Sequence, residues 1–334
     1  MFNFKNMSIL KFLLFPFSIL YRAITSIRNF LYDRGIFESK AFDVKVVCVG
    51  NLSVGGTGKS PMIEYLIENL KEDYNIVVLS RGYKRKTNGF HEVETTNEAH
   101  EVGDEPLQFK RKFSDIRVFV DANRRRGISN ILKKYSETDM VLLDDAYQHR
   151  KVKADYNILL TTYDNPYFKD YLLPVGRLRE SRYSAKRANT VIVTKCPQNL
   201  SDQVKFEFEK SLRLQPDQNL GFSKIRYSDK VLSKAKAQLL SRFDNFYLIT
   251  GIANPKPLLE FLNYNEKSFE HLPFPDHYNF TKKDIEKFMA LNKPILTTEK
   301  DYVRLKGCGI SELFYLSISI EVDFDITKSV TEIL

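Results

Sequence analysis

Lys59 and Ser60 close a glycine-rich stretch, "VGNLSVGGTGKSPMIEYL" at residues 49 to 66. An amine followed by a hydroxyl at the end of such a loop is what nucleotide phosphates and a hard cation require. The loop itself is Ser53, Val54, Gly55, Gly56, Thr57 and Gly58. Gly55, Gly56 and Gly58 can take positive φ and let backbone N–H groups converge on an anion at the N-terminus of the following helix. Lys59 would then reach the β- and γ-phosphates of ATP, and Ser60 would hold Mg²⁺. The strict pattern G-x-x-x-x-G-K-[ST] asks for glycine where this chain has Ser53, which costs the motif its strictness and little of its physics. Pro61 is compatible with a helix start, where its missing N–H would have had no partner.

Other charged residues have more than one reading. The apolar run of "DMVLLDDAYQHR" ends in Asp144 and Asp145, where a P-loop protein carries a second carboxylate for Mg²⁺; a strand-capping pair without metal is the alternative. In "EVGDEPLQ", Asp104 either faces the strand ends or caps a helix before Pro106. "LLPVGRLRES" supplies Arg177, Arg179 and Glu180, either a phosphate clamp with a metal or positioning carboxylate, or solvated loop charges. "FPDHYNF" sets His277 between Asp276 and an aromatic residue, a position open to structural or catalytic use.

These residues need a scaffold, and the run pattern supplies one. "VKVVCV", "NIVVLS", "IRVFV", "DMVLLDD", "YNILLTT" and "NTVIVTK" read as short strands, most of them separated by helical or loop stretches. The alternation predicts an α/β fold of P-loop NTPase type with a doubly wound, mainly parallel sheet. Around Gln215 to Lys236 the chain turns polar, and "NFYLITGIANPKPLLEFL", "KPILTTEKDYVRL" and "ELFYLSISIEVDF" then suggest a smaller C-terminal α/β domain. The expected organisation is a helix over residues 1–32, a P-loop core over 33–220 and the smaller domain over 221–334. No repeat or low-complexity tract is present.

The first of these segments, "MSILKFLLFPFSILYRAITSIRNFLY", is aromatic and apolar, but its uncharged run from Phe12 to Tyr21 is short. As a helix that run spans about 15 Å, against a hydrocarbon core of roughly 30 Å, and it cannot cross a bilayer alone. Lys11, Ser18, Arg22, Thr25 and Asn29 fall on one narrow face at 100° per residue, and Phe, Leu and Ile fill most of the rest. That is the pattern of a helix lying in a membrane interface, with a kink expected at Pro16; a helix packed on the protein's own core is the alternative. No small-x-small cleavage site precedes Arg22 and Arg28, which disfavours a cleaved signal peptide.

Composition bounds the remaining classes. The 334 residues are 43% hydrophobic and 28% charged, ordinary for a globular chain. Cys48, Cys196 and Cys308 are odd in number and widely spaced, which argues against a disulfide framework or a zinc site and fits a reducing cytoplasm. A net charge of +9 invites a nucleic-acid reading, but the basic residues sit in short groups with no nucleic-acid motif, so phosphorylated ligands or anionic lipid account for it. No obligate protein partner is evident.

In order along nearly the whole chain, "VGNLSVGGTGKSP", "LSRGYKRK", "VGDEP", "DDAYQHR", "LLPVGRLRE", "GIANP", "FPDHYNF" and "TTEKDYVRL" resemble the tetraacyldisaccharide 4′-kinases, the lipid A kinases. The serine-for-glycine loop resembles that family's form. Ala146, where the family usually has glycine, and Tyr278, where a second histidine is common, depart from it. The resemblance implies transfer of the ATP γ-phosphoryl group to the 4′-hydroxyl of tetraacyldisaccharide 1-phosphate, giving lipid IVA. It implies a peripheral enzyme on the cytoplasmic face of the inner membrane, held there by the N-terminal helix. It also implies that Asp104 and His277 act as a pair, one from each domain, and that Lys59, Asp144, Asp145 and Glu180 are catalytic. Ser60, Asp144, Asp145 and Glu180 would surround Mg²⁺, and Arg81, Arg124, His149 and Arg179 would bind nucleotide or lipid phosphate.

A membrane-associated ATPase or GTPase switch without lipid kinase activity is the competing reading. Partitioning-type ATPases carry a signature lysine where this chain has Val54, and guanine-reading motifs need an aspartate where "TKCP" has Pro197.

Overall fold

The computed structural model describes residues 9–276 and 278–333. The first half of the chain forms α1 (Ile9–Asp33), β1 (Lys45–Asn51), α2 (Lys59–Leu70), β2 (Ile76–Ser80), β3 (His91–Glu92), α3 (Ala99–Val102), α4 (Asp104–Lys112), β4 (Arg117–Val120), α5 (Arg124–Lys134) and β5 (Met140–Asp144). Then come β6 (Tyr156–Thr162), β7 (Thr190–Thr194), α6 (Asp202–Leu212), β8 (Asn219–Leu232), β9 (Ala237–Leu239), β10 (Phe246–Thr250) and α7 (Lys256–Tyr264). The chain ends with β11 (Phe269–Pro273), α8 (Lys282–Met289), β12 (Ile295–Thr298), α9 (Glu299–Leu305), β13 (Leu313–Val322) and α10 (Ile326–Thr331). This is the expected α/β class.

Two compact units divide these elements: the described residues up to Arg81 with Asn123–Lys224 and those from Glu321 on, and Gly82–Ala122 with Ile225–Ile320. In the first unit β1 lies between β5 and β6 and pairs with both in parallel, Val47 opposite Leu142 on one side and Tyr156 on the other. β2 extends the sheet beside β5, and β7 and the start of β8 extend it beside β6, all parallel. Both faces of β1 must therefore be apolar, and Val46, Val47 and Val49 are fully buried. Burying each such side chain contributes about 1.5–3 kcal/mol.

In the second unit β10 is flanked by β11 and β12, and β12 by β13, again in parallel. Leu248, Leu262, Leu296 and Phe314 pack in its core. The unit boundaries differ from the sequence expectation, because residues 82–122 join the C-terminal unit. The reason is packing: α4 lies against α9 and β4, and Leu107, Phe109 and Phe119 are fully buried. β8 is not apparent in the sequence, since most of it is only partly buried and its polar side chains hide a strand defined by backbone pairing.

α1 belongs to the first unit and continues through Pro16. Its polar side docks onto the protein. Ser18 Oγ donates to the Leu172 carbonyl at 3.1 Å, Tyr21 Oη to the Arg179 carbonyl at 2.9 Å and Arg28 Nη2 to the Gln148 carbonyl at 2.7 Å. Leu13, Phe17, Leu20, Ile24 and Ile27 follow one another at helical spacing, each at least 58% exposed. Among the described residues no helix is long and apolar enough to cross a membrane.

Candidate active site

β1 ends at Asn51 and α2 begins at Lys59, so the glycine loop joins a buried central strand to a helix N-terminus. Gly55 and Gly58 take φ of 109° and 88°, and Gly56 does not. Ser53 has no left-handed conformation to satisfy. It forms an antiparallel bridge with Leu178, flanked by Val54 N–H donating to the Arg177 carbonyl at 2.8 Å and Arg179 N–H to that of Leu52 at 2.7 Å. An extended, paired residue does not need to be glycine. Pro61 lies in the first turn of α2, where proline is tolerated.

Neighbouring side chains brace the loop. Asn51 Nδ2 donates to Thr57 Oγ1, Thr194 Oγ1 to the Thr57 carbonyl at 2.8 Å, and Lys195 Nζ to the Gly56 carbonyl at 2.7 Å. In the sequence "TKCP" reads only as a failed guanine motif, which gives no sign of Lys195 as a brace.

Lys59 Nζ lies 3.7 Å from Asp145 Oδ1, and Arg179 Nη1 reaches both oxygens of the same carboxylate at 3.2 Å. Burial pushes the Asp145 carboxyl up, but Lys59 and Arg179 more than offset it and hold it below its ordinary value. Asp145 has a φ of 47°, a sparsely populated conformation that aspartate tolerates better than most residues. Asp144 is buried at the end of β5 and accepts from Ser80 Oγ at 2.8 Å, while its carbonyl accepts from Arg124 Nη2 at 3.1 Å.

Glu180, expected near a metal, is enclosed by arginines. Its carboxylate is 1% exposed and sits between two guanidinium groups, with Arg187 Nη2 at 2.8 Å and Arg28 Nη1 at 3.5 Å. Since Arg28 comes from α1, this carboxylate ties that helix to the 178–180 segment that bridges the phosphate loop.

Arg124 is 2% exposed, and burial brings its guanidinium down to about 10 despite Asp144 and Asp145. His149 is brought down to about 4, chiefly by burial and then by Arg124, Arg81 and Arg28. Its imidazole is therefore neutral at pH 7 within a cationic surrounding suited to an anion. The unfolded chain takes up this proton near 6.5, so the stability gained from neutral His149 is complete above that pH and is lost as pH falls toward 4. His149→Asn is expected to flatten that part of the stability curve by on the order of 1–3 kcal/mol. Urea unfolding at pH 7, 5.5 and 4.5 checks this, and an unchanged pH slope in the variant counts against it.

In the second unit Asp104 is the first residue of α4, one position after Gly103. Its carboxylate accepts from Arg304 Nε at 3.1 Å and Nη2 at 2.5 Å. Gly103 before it has φ 97°, and a Cβ there would come within 3.1 Å of the Gly82 Cα, so "RGYKRK" and "VGDEP" pack glycine against glycine. Asp104 thus lies in the unit that also contains the residues flanking His277, and the two motifs do not come one from each unit. His277 itself lies outside the described residues.

The donor set suits Mg²⁺. Carboxylates beside a helix-start hydroxyl are hard oxygen ligands, and Mg²⁺ in nucleotide sites is held by one or two carboxylates plus substrate phosphates. Ser60, Asp144 and Asp145 are donors of that kind; Asp145 also faces Lys59 and Arg179, and Glu180 faces Arg28 and Arg187.

Residues 10–334 match the family described as LpxK, tetraacyldisaccharide-1-P 4′-kinase. The tetraacyldisaccharide 4′-kinase of Flavobacterium johnsoniae is 50% identical over 319 residues, 93% of this chain and 93% of that one. That of Bacteroides fragilis is 44% identical over 308 residues, 87% of this chain and 82% of the relative. The crystal structure of LpxK from Aquifex aeolicus in complex with ATP matches with a TM-score of 0.79 at 29% identity, covering 97% of this chain and 99% of that one.

Proposed function

The chain belongs to the tetraacyldisaccharide-1-P 4′-kinase family, and on that premise we propose how its residues carry out the family's reaction. It transfers the γ-phosphoryl group of ATP to the 4′-hydroxyl of tetraacyldisaccharide 1-phosphate, giving lipid IVA for lipid A biosynthesis. The observation that carries this reading is the family match over residues 10–334, which includes every site residue named above.

Phosphoryl transfer passes through a loose transition state, so positioning and charge neutralisation supply most of the acceleration. Loop amides and Lys59 hold the β- and γ-phosphates, with Asp145, itself held by Arg179, orienting the Lys59 ammonium. Ser60, Asp144 and Asp145 hold Mg²⁺, which when bound neutralises phosphate charge. Arg81, Arg124 and His149 bind nucleotide or lipid phosphate, and Glu180, paired with Arg28 and Arg187, positions α1. Asp104 and His277 orient the acceptor hydroxyl and take its proton. The test is label transfer from γ-labelled ATP with Mg²⁺ to tetraacyldisaccharide 1-phosphate in mild detergent. Label on the lipid supports the kinase; hydrolysis stimulated by bare membranes, with no label on lipid, supports the switch.

A four-chain substrate barely leaves the bilayer, and the outward apolar face of α1 suits peripheral attachment to the cytoplasmic face of the inner membrane. Burying two of these side chains in lipid is worth roughly 3–6 kcal/mol. The double variant Leu20→Asp, Ile24→Asp is therefore expected to bind anionic vesicles at least 100-fold more weakly in flotation assays. Co-flotation equal to wild type would sink the idea.

A further inference from the structure

"TTEKDYVRL" has no chemical role in the reaction as described so far, and a role for it rests on the reading of Asp104 and His277 as the acceptor-side pair. α9 starts from a Thr298 cap and presents Asp301 and Arg304 on one side. Asp301 is fully buried and anchored, its Oδ2 accepting from Gly251 N–H at 2.8 Å and from Thr298 Oγ1 at 2.7 Å. Its other oxygen, Oδ1, accepts from Arg304 Nη1 at 3.1 Å. Arg304 then turns Nε and Nη2 onto Asp104 Oδ2. The guanidinium is thus held by one buried carboxylate while it grips another, and its side chain is only 6% exposed.

Two further segments lie against this element. A Cβ on Gly251, in "GIANP", would come within 2.8 Å of Asp301 Oδ1 and 3.4 Å of the Pro275 carbonyl, so three motifs meet at this point. Lys300, on the same helix, lies 3.5 Å from Asp276, the residue before His277. α9 therefore contacts both the Asp104 motif and the segment that leads into His277.

We propose that Arg304 is a positioning residue for phosphoryl transfer: braced by Asp301, it fixes the Asp104 carboxylate in the orientation used against the acceptor hydroxyl. A planar fork with several donors does this where an ammonium cannot, because lysine supplies charge without fixed geometry. A residue acting only through Asp104 changes turnover and not nucleotide affinity, and its effect vanishes once Asp104 is gone.

The experiment is label transfer by the full-length protein in detergent, comparing wild type, Arg304→Lys, Arg304→Met, Asp104→Ala and the double variants Asp104→Ala/Arg304→Lys and Asp104→Ala/Arg304→Met. Arg304→Met is expected to lower kcat at least tenfold with KM for ATP within twofold, and Arg304→Lys to lower it less. Each double variant is expected to be no slower than Asp104→Ala alone. Arg304→Lys keeps charge and stem, so the comparison still reads out if the Met variant loses its cooperative melt. The proposal is overturned if the Lys substitution leaves kcat at the wild-type value, or slows transfer by the same factor with and without Asp104. If Asp104→Ala itself leaves kcat unchanged, the acceptor-pair reading fails first, an outcome separate from a defective Asp104→Ala beside normal Arg304 variants.

Discussion

Lys59→Ala is expected to lower label transfer to the lipid by roughly 10²–10³-fold, the usual cost of removing one preorganised donor from a developing phosphoryl charge. Lys59 opens α2 directly after a left-handed Gly58, so its backbone position is set by the loop and its side chain by Asp145. Alanine retains helix propensity, so the fold persists while the ammonium is lost. Arg179 still neutralises Asp145 in the variant, which keeps the carboxylate from disrupting the loop. Initial rates at saturating ATP, with a circular-dichroism melt as the folding control, measure the effect. A folded variant within threefold of wild type would remove Lys59 from the chemistry.

Asp104→Ala and His277→Ala are each expected to lower kcat by about 10²–10⁴-fold, the range for losing a positioned proton-transfer group. A free carboxylate with a pKa of about 3.9 is a weak base for a sugar hydroxyl, so the pair matters more than either member. ATP affinity is expected to hold, because the phosphate loop and Lys59 lie in the first unit and Asp104 in the second. Fluorescent-nucleotide titration beside the transfer assay separates the two effects. Loss of nucleotide affinity in proportion to activity would count against an acceptor-side role.

Much of the first unit was legible because its signals are local. Gly55 and Gly58 adopt positive φ because glycine carries no Cβ, and Lys59 must follow them at the helix start. β1, β5 and β6 are near-continuous apolar runs because strands buried on both faces have no polar side to alternate with. The same locality made α1 amphipathic on paper. The exposed apolar face required the structure, since Ser18, Tyr21, Arg28 and Asn29 find their partners far along the chain.

The phosphate loop, the α/β class and the family resemblance are each written in contiguous residues, whose conformation follows from backbone sterics and side-chain period. Which charges meet depends on packing between distant segments. Arg304 reaches Asp104 across 200 residues, Glu180 is enclosed by Arg28 and Arg187, and residues 82–122 join the C-terminal unit. The physical reason is that a carboxylate looks alike in sequence whether it is destined for a metal, a guanidinium or water. Its partner is chosen by which helices pack together, and that packing follows buried apolar surface: Leu107 and Phe109 bury α4 in this unit, and α9 lies against it.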